Sequence, residues 1–101
     1  MISSSGDSLE SPFDLRFGRA AWFCLFDETT GKTSFFQNEN KDEFQGAGGK
    51  VVEMAVALGV TKVISGDFGP KAKDLLDRFN IQMVIIPDEN SRIADIVAKL
   101  K

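Results

Sequence analysis

Ten residues, Lys62-Val63-Ile64-Ser65-Gly66-Asp67-Phe68-Gly69-Pro70-Lys71, are those best placed to do chemistry. Val63 and Ile64 are β-branched and apolar, as a buried strand requires. Gly66 stops that run, and Gly69 gives the turn backbone freedom. Pro70 suits the first turn of a helix, where its missing N–H costs nothing. A strand, a glycine turn and a helix start place free main-chain N–H groups at the positive end of a helix dipole, which is a setting for an anion. Two further segments have the same character. Gly46-Ala47-Gly48-Gly49-Lys50 opens another helix, and Arg16-Phe17-Gly18-Arg19-Ala20 sets two cations about a glycine. If all three meet beyond the carboxyl ends of parallel strands, together with the turn after the first strand, they form a glycine-lined cleft with Arg16, Arg19, Lys50 and Lys71 nearby. Local pattern alone favours an ordinary turn without a ligand, and each cation taken singly reads as a solvated surface charge. The clustering favours a site.

Other chemistries fit the residues less well. The chain has no histidine and one cysteine, Cys24. That removes imidazole triads, a Cys/His zinc site within one chain and any internal disulfide. Gly46-Ala47-Gly48 is not a dinucleotide fingerprint: Val51 stands where the third glycine belongs, and no strand precedes it. Gly49-Lys50 is not a phosphate-binding P-loop, because Phe44 replaces the first glycine and Val51 the Ser or Thr. Asp7 and Asp67 follow the first and fourth strands and could share Mg²⁺ in a hydrolase, although turn formation accounts for each more simply. Cys24 sits among aromatics in a strand, as an inert core residue does.

The elements that must position these residues follow from the apolar pattern. Of 101 residues, 43% are hydrophobic, enough for a single domain over residues 1–101 with one core. The net charge of −3 argues against nucleic acid as a partner. No signal peptide or bilayer-spanning stretch is apparent, so a cytoplasmic protein is expected, with no membrane partner. Met1 to Ser4 reads as the stub of a first strand. Trp22 to Phe26 and Thr33 to Gln37 read as a hairpin, the first strand of it buried on both faces. Residues 38–45 read as a polar, mobile loop. A helix is expected over residues 48–58 with Val51, Val52, Ala55, Val56 and Leu58 inward and Gly59 as its cap. A strand at residues 62–65 precedes a helix whose inward stripe is Ala72, Leu75, Leu76 and Phe79. A strand over residues 82–86 precedes a final helix capped by Ser91, with Ile93, Ile96, Val97 and Leu100 inward. Repeated βα units with one hairpin imply a mixed five-stranded sheet in an α/β layer fold. An alternative use of the chain is as an interaction module presenting Phe35, Phe36 and Phe44, although those aromatics suit a core.

Taken together, Arg16-Phe17-Gly18-Arg19-Ala20, Gln45-Gly46-Ala47-Gly48, Gly59-Val60 and residues 63–72 resemble the dinitrogenase iron–molybdenum cofactor biosynthesis family, which is nitrogenase accessory factor-like. The resemblance runs along essentially the whole chain. It implies a three-layer α/β/α, ribonuclease H-like fold whose mixed five-stranded sheet has one antiparallel strand. It also implies a non-catalytic protein that binds or carries an anionic metal–sulfur cluster, containing molybdenum or iron, as an iron–molybdenum cofactor precursor or of molybdenum–copper type. Such a protein can be isolated empty, acts as a monomer or weak dimer, and meets cluster donor or acceptor proteins. On that basis Arg16, Gly18, Arg19, Gln45, Gly46, Gly48, Lys50, Gly66, Phe68, Gly69 and Lys71 are the expected cluster-binding residues. Many family members have histidine where this chain has Arg16 and Gln45, which leaves mainly electrostatic holding here. Family members also carry an apolar strand before the serine-rich turn, so either Met1-Ile2 closes a short strand or the start is truncated.

Overall fold

The computed structural model describes residues 1–42, 46–88 and 90–101. Five strands, β1 (Ile2–Ser4), β2 (Trp22–Phe26), β3 (Thr33–Gln37), β4 (Lys62–Ser65) and β5 (Gln82–Ile85), alternate with α1 (Ala47–Ala57), α2 (Pro70–Arg78) and α3 (Ile93–Leu100). The strands form one sheet in the order β3-β2-β1-β4-β5. β1 pairs antiparallel with β2 and parallel with β4, β2 pairs antiparallel with β3, and β4 pairs parallel with β5. β2 therefore runs against the other four, as expected of a mixed sheet with one antiparallel strand.

Alternation along the strands sends side chains to two cores. Met1, Phe23 and Val63 pack with Val51, Val52 and Ala55 of α1 and Ala72 and Leu76 of α2. Ile2, Cys24 and Ile64 pack with Ile93, Ile96 and Val97 of α3 on the other face. Three layers result, with α1 and α2 on one side and α3 on the other. Phe23 and Cys24 are wholly buried, whereas Trp22, Leu25 and Phe26 are half-buried, so β2 is covered on both faces only at its middle.

Two helices end as their sequences direct. Gly59 adopts φ +73° after α1, so its N–H meets the Val56 carbonyl and the next N–H, of Val60, meets that of Ala55. Asn80, with φ 57°, does the same for α2, with the Ile81 N–H on the Leu76 carbonyl. The apolar stripes are narrower than the spacing suggests. Val56, Leu58 and Phe79 are 40%, 48% and 52% exposed. Ser91 does not cap α3. Its hydroxyl donates to Asp88 at 3.1 Å, and the helix start is instead tied by the Arg92 N–H donating to the Asp95 carboxylate at 2.9 Å.

Short as it is, β1 is the hub. Ser3 and Ser65 are fully buried in adjacent central strands, where apolar residues would be the usual choice. The Ser3 hydroxyl donates to the Asp14 carbonyl at 2.6 Å and meets the Ser65 hydroxyl at 2.8 Å, while Ser65 reaches the Leu15 carbonyl at 3.2 Å. These bonds lash the loop carrying Asp14 and Leu15 across the ends of β1 and β4, and so aim residues 16–20 at the start of α1.

Candidate functional site

The Gly66 N–H donates to the Leu15 carbonyl, and the Phe17 N–H donates to that of Asp67. The two glycine-bearing loops are thereby stitched side by side at the carboxyl end of β4. Phe17 and Phe68 bury their rings 5.0 Å apart beneath them. Gly18 then comes so close to α1 that a β-carbon there would lie 3.0 Å from the Gly48 nitrogen. Gly48 in turn lets α1 approach α2, since its own β-carbon would meet Ala72 at 3.3 Å. These contacts gather three segments around a cleft of about 300 Å³ lined by Phe17, Gly18, Arg19, Gly46, Ala47, Gly48, Gly49, Gly69, Pro70, Lys71 and Ala72.

Both helices that open onto this cleft begin without a side-chain cap and without an acidic residue in the first turn. Gly46 precedes α1 in a left-handed conformation with φ 76°, and its carbonyl accepts from Lys50, the first helical bond, so the N–H groups of Ala47, Gly48 and Gly49 have no acceptor within the helix. In α2 the first such bond runs from Lys73 to Gly69, and Pro70 has no N–H to leave unsatisfied. Two positive helix ends thus face one space, and neither first turn carries an acidic side chain. Arg19 lines the rim and donates to the Lys41 carbonyl at 2.8 Å. Lys71 extends over Gly49, with Cε 3.8 Å from where a β-carbon would stand there. Gly69 differs from its neighbours. Its φ of −64° suits any residue, and a β-carbon there would meet nothing within 4 Å, so the space is open to a ligand.

The expected site residues divide. Gly18, Arg19, Gly46, Gly48, Gly69 and Lys71 line the cleft. Arg16 does not: its guanidinium folds back onto Asp14, with Nη2 to Oδ2 at 3.1 Å and Nε to Oδ1 at 3.2 Å. That hydrogen bond, and the charge behind it, raises the Arg16 pKa above its ordinary value. Lys50 stands exposed on α1 outside the lining. Gly66 and Phe68 lie outside the lining, the one pressed against Leu15 and the other buried in the core. Gln45 lies outside the described residues, as does Phe44. The turn after β1 does not reach the cleft. Ser5 donates to Pro12, and Pro12 bridges to Arg92 before α3, which directs Asp7 away while Asp67 stays beside Arg16. Among the described residues no three His, Cys, Asp or Glu side chains gather to hold a metal ion.

One residue with a part in the site escaped the sequence reading. Asn38 was expected to begin a mobile loop, yet it is 1% exposed. Its side-chain amide donates to the Gly18 carbonyl at 3.1 Å and the Ala20 carbonyl at 2.8 Å, and its oxygen accepts from the Asn40 N–H at 2.9 Å. Asn38 therefore holds the cleft wall in place from the end of β3. A lone asparagine after a strand is a weak signal, since the same residue type is common in turns.

Cys24 is remote from the cleft. It is fully buried beneath α3, and burial pushes its thiol up to about 11. At pH 8 only about one thiol in a thousand is ionised. A thiol reagent such as 5,5′-dithiobis(2-nitrobenzoate) is expected to label native protein no faster than the protein opens, and to react at once in denaturant. Because the folded state keeps this proton longer than the unfolded one, stability from Cys24 is constant below about pH 9 and declines as pH rises towards 11.

The family model described as dinitrogenase iron-molybdenum cofactor matches residues 1–101. Among solved structures, the apo form of the orange protein from Desulfovibrio gigas superposes with a TM-score of 0.90 at 26% identity, covering 97% of this chain and 82% of that one. A putative NifB protein from Thermotoga, solved by NMR, superposes with a TM-score of 0.80 at 26% identity, covering 97% of this chain and 81% of its own. No curated protein sequence gives a significant match.

Proposed function

The chain belongs to the dinitrogenase iron-molybdenum cofactor family, and from that premise we propose that it is a non-catalytic carrier of an anionic metal–sulfur cluster held in the glycine cleft. The observation that carries the proposal is the pair of uncapped, acid-free helix starts turned towards one cavity, with Arg19 and Lys71 beside them. Main-chain amides and cationic side chains bind a sulfide-rich anion through charge-assisted hydrogen bonds. Among the described residues the cleft lining contains no histidine, cysteine or carboxylate, so this donor set suits an anion that keeps its own ligands. Gly69, which borders open space, would let it approach the main chain, and Arg19 and Lys71 would balance its charge. The strand order, with only β2 reversed, supports a ribonuclease H-like assignment.

Among the described residues nothing gathered at the cleft forms a nucleophile with a base, or a pair of carboxylates around a metal, and the proposed action is to hold a cluster and release it to a partner protein. No helix among the described residues is long and apolar enough to cross a membrane. Titration with tetrathiomolybdate, with and without copper(I), tests the proposal. Saturable charge-transfer absorbance that weakens as salt rises is expected, since rim charges are screened within about 10 Å at 0.1 M. Absorbance identical to that of the metal reagents without protein would remove it.

A further inference from the structure

Among the described residues Asn38 is the one asparagine or glutamine that is buried, and its bonds fix how the amide is turned. Its Oδ1 accepts from the Asn40 N–H at 2.9 Å. Nδ2 then faces two carbonyls, that of Gly18 at 3.1 Å and that of Ala20 at 2.8 Å, so each of its two hydrogens has an acceptor. The backbone is held as well, since the Asn38 N–H donates to the Ala21 carbonyl at 2.9 Å. A single residue at the end of β3 thus grips the loop of residues 18–21 by three of its carbonyls.

The grip has an electrical consequence for the peptide between Gly18 and Arg19. Both of those residues line the cleft, whereas Asn38 does not, so this peptide lies between the Asn38 amide and the cleft. It also stands beside the first turn of α1, because a β-carbon on Gly18 would lie 3.0 Å from the Gly48 nitrogen. Its carbonyl is drawn back onto Asn38. In a trans peptide the N–H points opposite to the carbonyl, so the positive end of the peptide dipole is turned towards the cleft. That is the sign which the starts of α1 and α2 present to the same space. Glycine at 18 leaves the backbone free to take other orientations, and a carbonyl swung the other way would put partial negative charge into the wall. Leucine and aspartate match asparagine in size, yet neither an alkyl group nor a carboxylate can donate to the two carbonyls.

We infer that Asn38 is a positioning residue that sets the sign of charge the cleft accepts, by keeping the Gly18 carbonyl out of it and the positive end of the Gly18–Arg19 peptide turned in. The inference rests on the carrier reading of the cleft. Titration of isotopically labelled protein with tetrathiomolybdate, a diamagnetic anion, tests it by NMR. The Arg19 amide is expected to shift with the same concentration dependence as those of Gly48 and Gly49. The Ala21 amide, whose peptide is tied to the same side chain but lies outside the lining, is expected to shift far less. Asn38→Leu is expected to weaken binding about tenfold, as the loss of one oriented donor group would, while Gly48 and Gly49 still respond at saturation. An Asn38 with a structural role only would lower the melting temperature and leave the affinity of the folded protein unchanged. If Asn38→Leu fails to fold, the Arg19 amide of the unaltered protein still decides. A response at Gly48 and Gly49 with the Arg19 amide unmoved, or parent affinity in folded Asn38→Leu protein, would overturn the inference and leave the carrier reading standing. No response at any of the three amides would overturn both.

Discussion

Replacing Arg19 and Lys71 together by alanine is expected to weaken tetrathiomolybdate binding about 30-fold at low salt, as two partly exposed charge contacts worth about 1 kcal/mol each would. Both residues are exposed and lie at the rim of the cleft, one on the loop after Phe17 and one in the first turn of α2. Neither contributes to a core, so circular dichroism and the melting temperature should stay close to those of the parent protein. Some affinity should remain, because the main-chain amides of α1 and α2 are untouched. The salt dependence of binding should flatten, because the charges that salt screens are gone. Arg16→Ala and Lys50→Ala serve as comparisons. Arg16 is committed to Asp14 and Lys50 lies outside the lining, so each should change affinity less than twofold to threefold, about 0.5 kcal/mol. An equal loss from all four substitutions would mean that net charge, and not the cleft, attracts the anion.

The second large effect separates two glycines three residues apart. At Gly66 a β-carbon would lie 2.9 Å from the Leu15 α-carbon and 2.7 Å from its β-carbon, where main chain cannot easily yield. Gly66→Ala is expected to cost about 2–3 kcal/mol, in the range of an overpacked core, and to lower the melting temperature by about 10–20 °C. It breaks the junction between Leu15 and the end of β4, and so disturbs the cleft indirectly. At Gly69 a β-carbon meets nothing, and the backbone is ordinary for any residue. Gly69→Ala should cost no more than about 1 kcal/mol, the difference between glycine and alanine before a helix. It nevertheless places a methyl group in the open space of the cleft and should weaken anion binding in protein that melts almost normally. Thermal melts and thiomolybdate titrations on the same two variants check both halves. Equal melting temperatures for Gly66→Ala and Gly69→Ala would contradict the packing argument.

The extent to which this molecule can be read from its residues depends on how local the signals are. The strands at residues 22–26 and 33–37 are legible because β-branched and aromatic runs flank a polar, glycine-ended turn. Pro70 and Gly59 announce a helix start and a helix end within one turn of the chain. The glycine-lined edge is legible because the turn after a parallel strand such as β4 must leave from the carboxyl end of the sheet. What required the fold was the direction of individual side chains. Nothing near Arg16 in the chain says that it will turn back onto Asp14, because that choice depends on Ser3 and Ser65 pinning the Asp14 loop. Gly66, Gly18 and Gly69 look alike as letters, yet two are close-packed contacts and one borders open space. The turn after β1 was placed at the cleft by analogy with the other turns, and a bridge from Pro12 to Arg92 carries it to the α3 side instead. Val56, Leu58 and Phe79 continue an apolar period, yet the fold leaves them exposed.

The carrier reading rests on a single place where the anion must sit. Crystals grown with tetrathiomolybdate and measured at the molybdenum absorption edge would locate it without reference to activity. The account predicts one anomalous peak in the cleft, within hydrogen-bonding reach of the amides of Gly48, Gly49 and Lys71 and beside the Arg19 guanidinium. A peak at Cys24, a peak elsewhere on the surface, or a cleft left empty by an anion that binds in solution would contradict it.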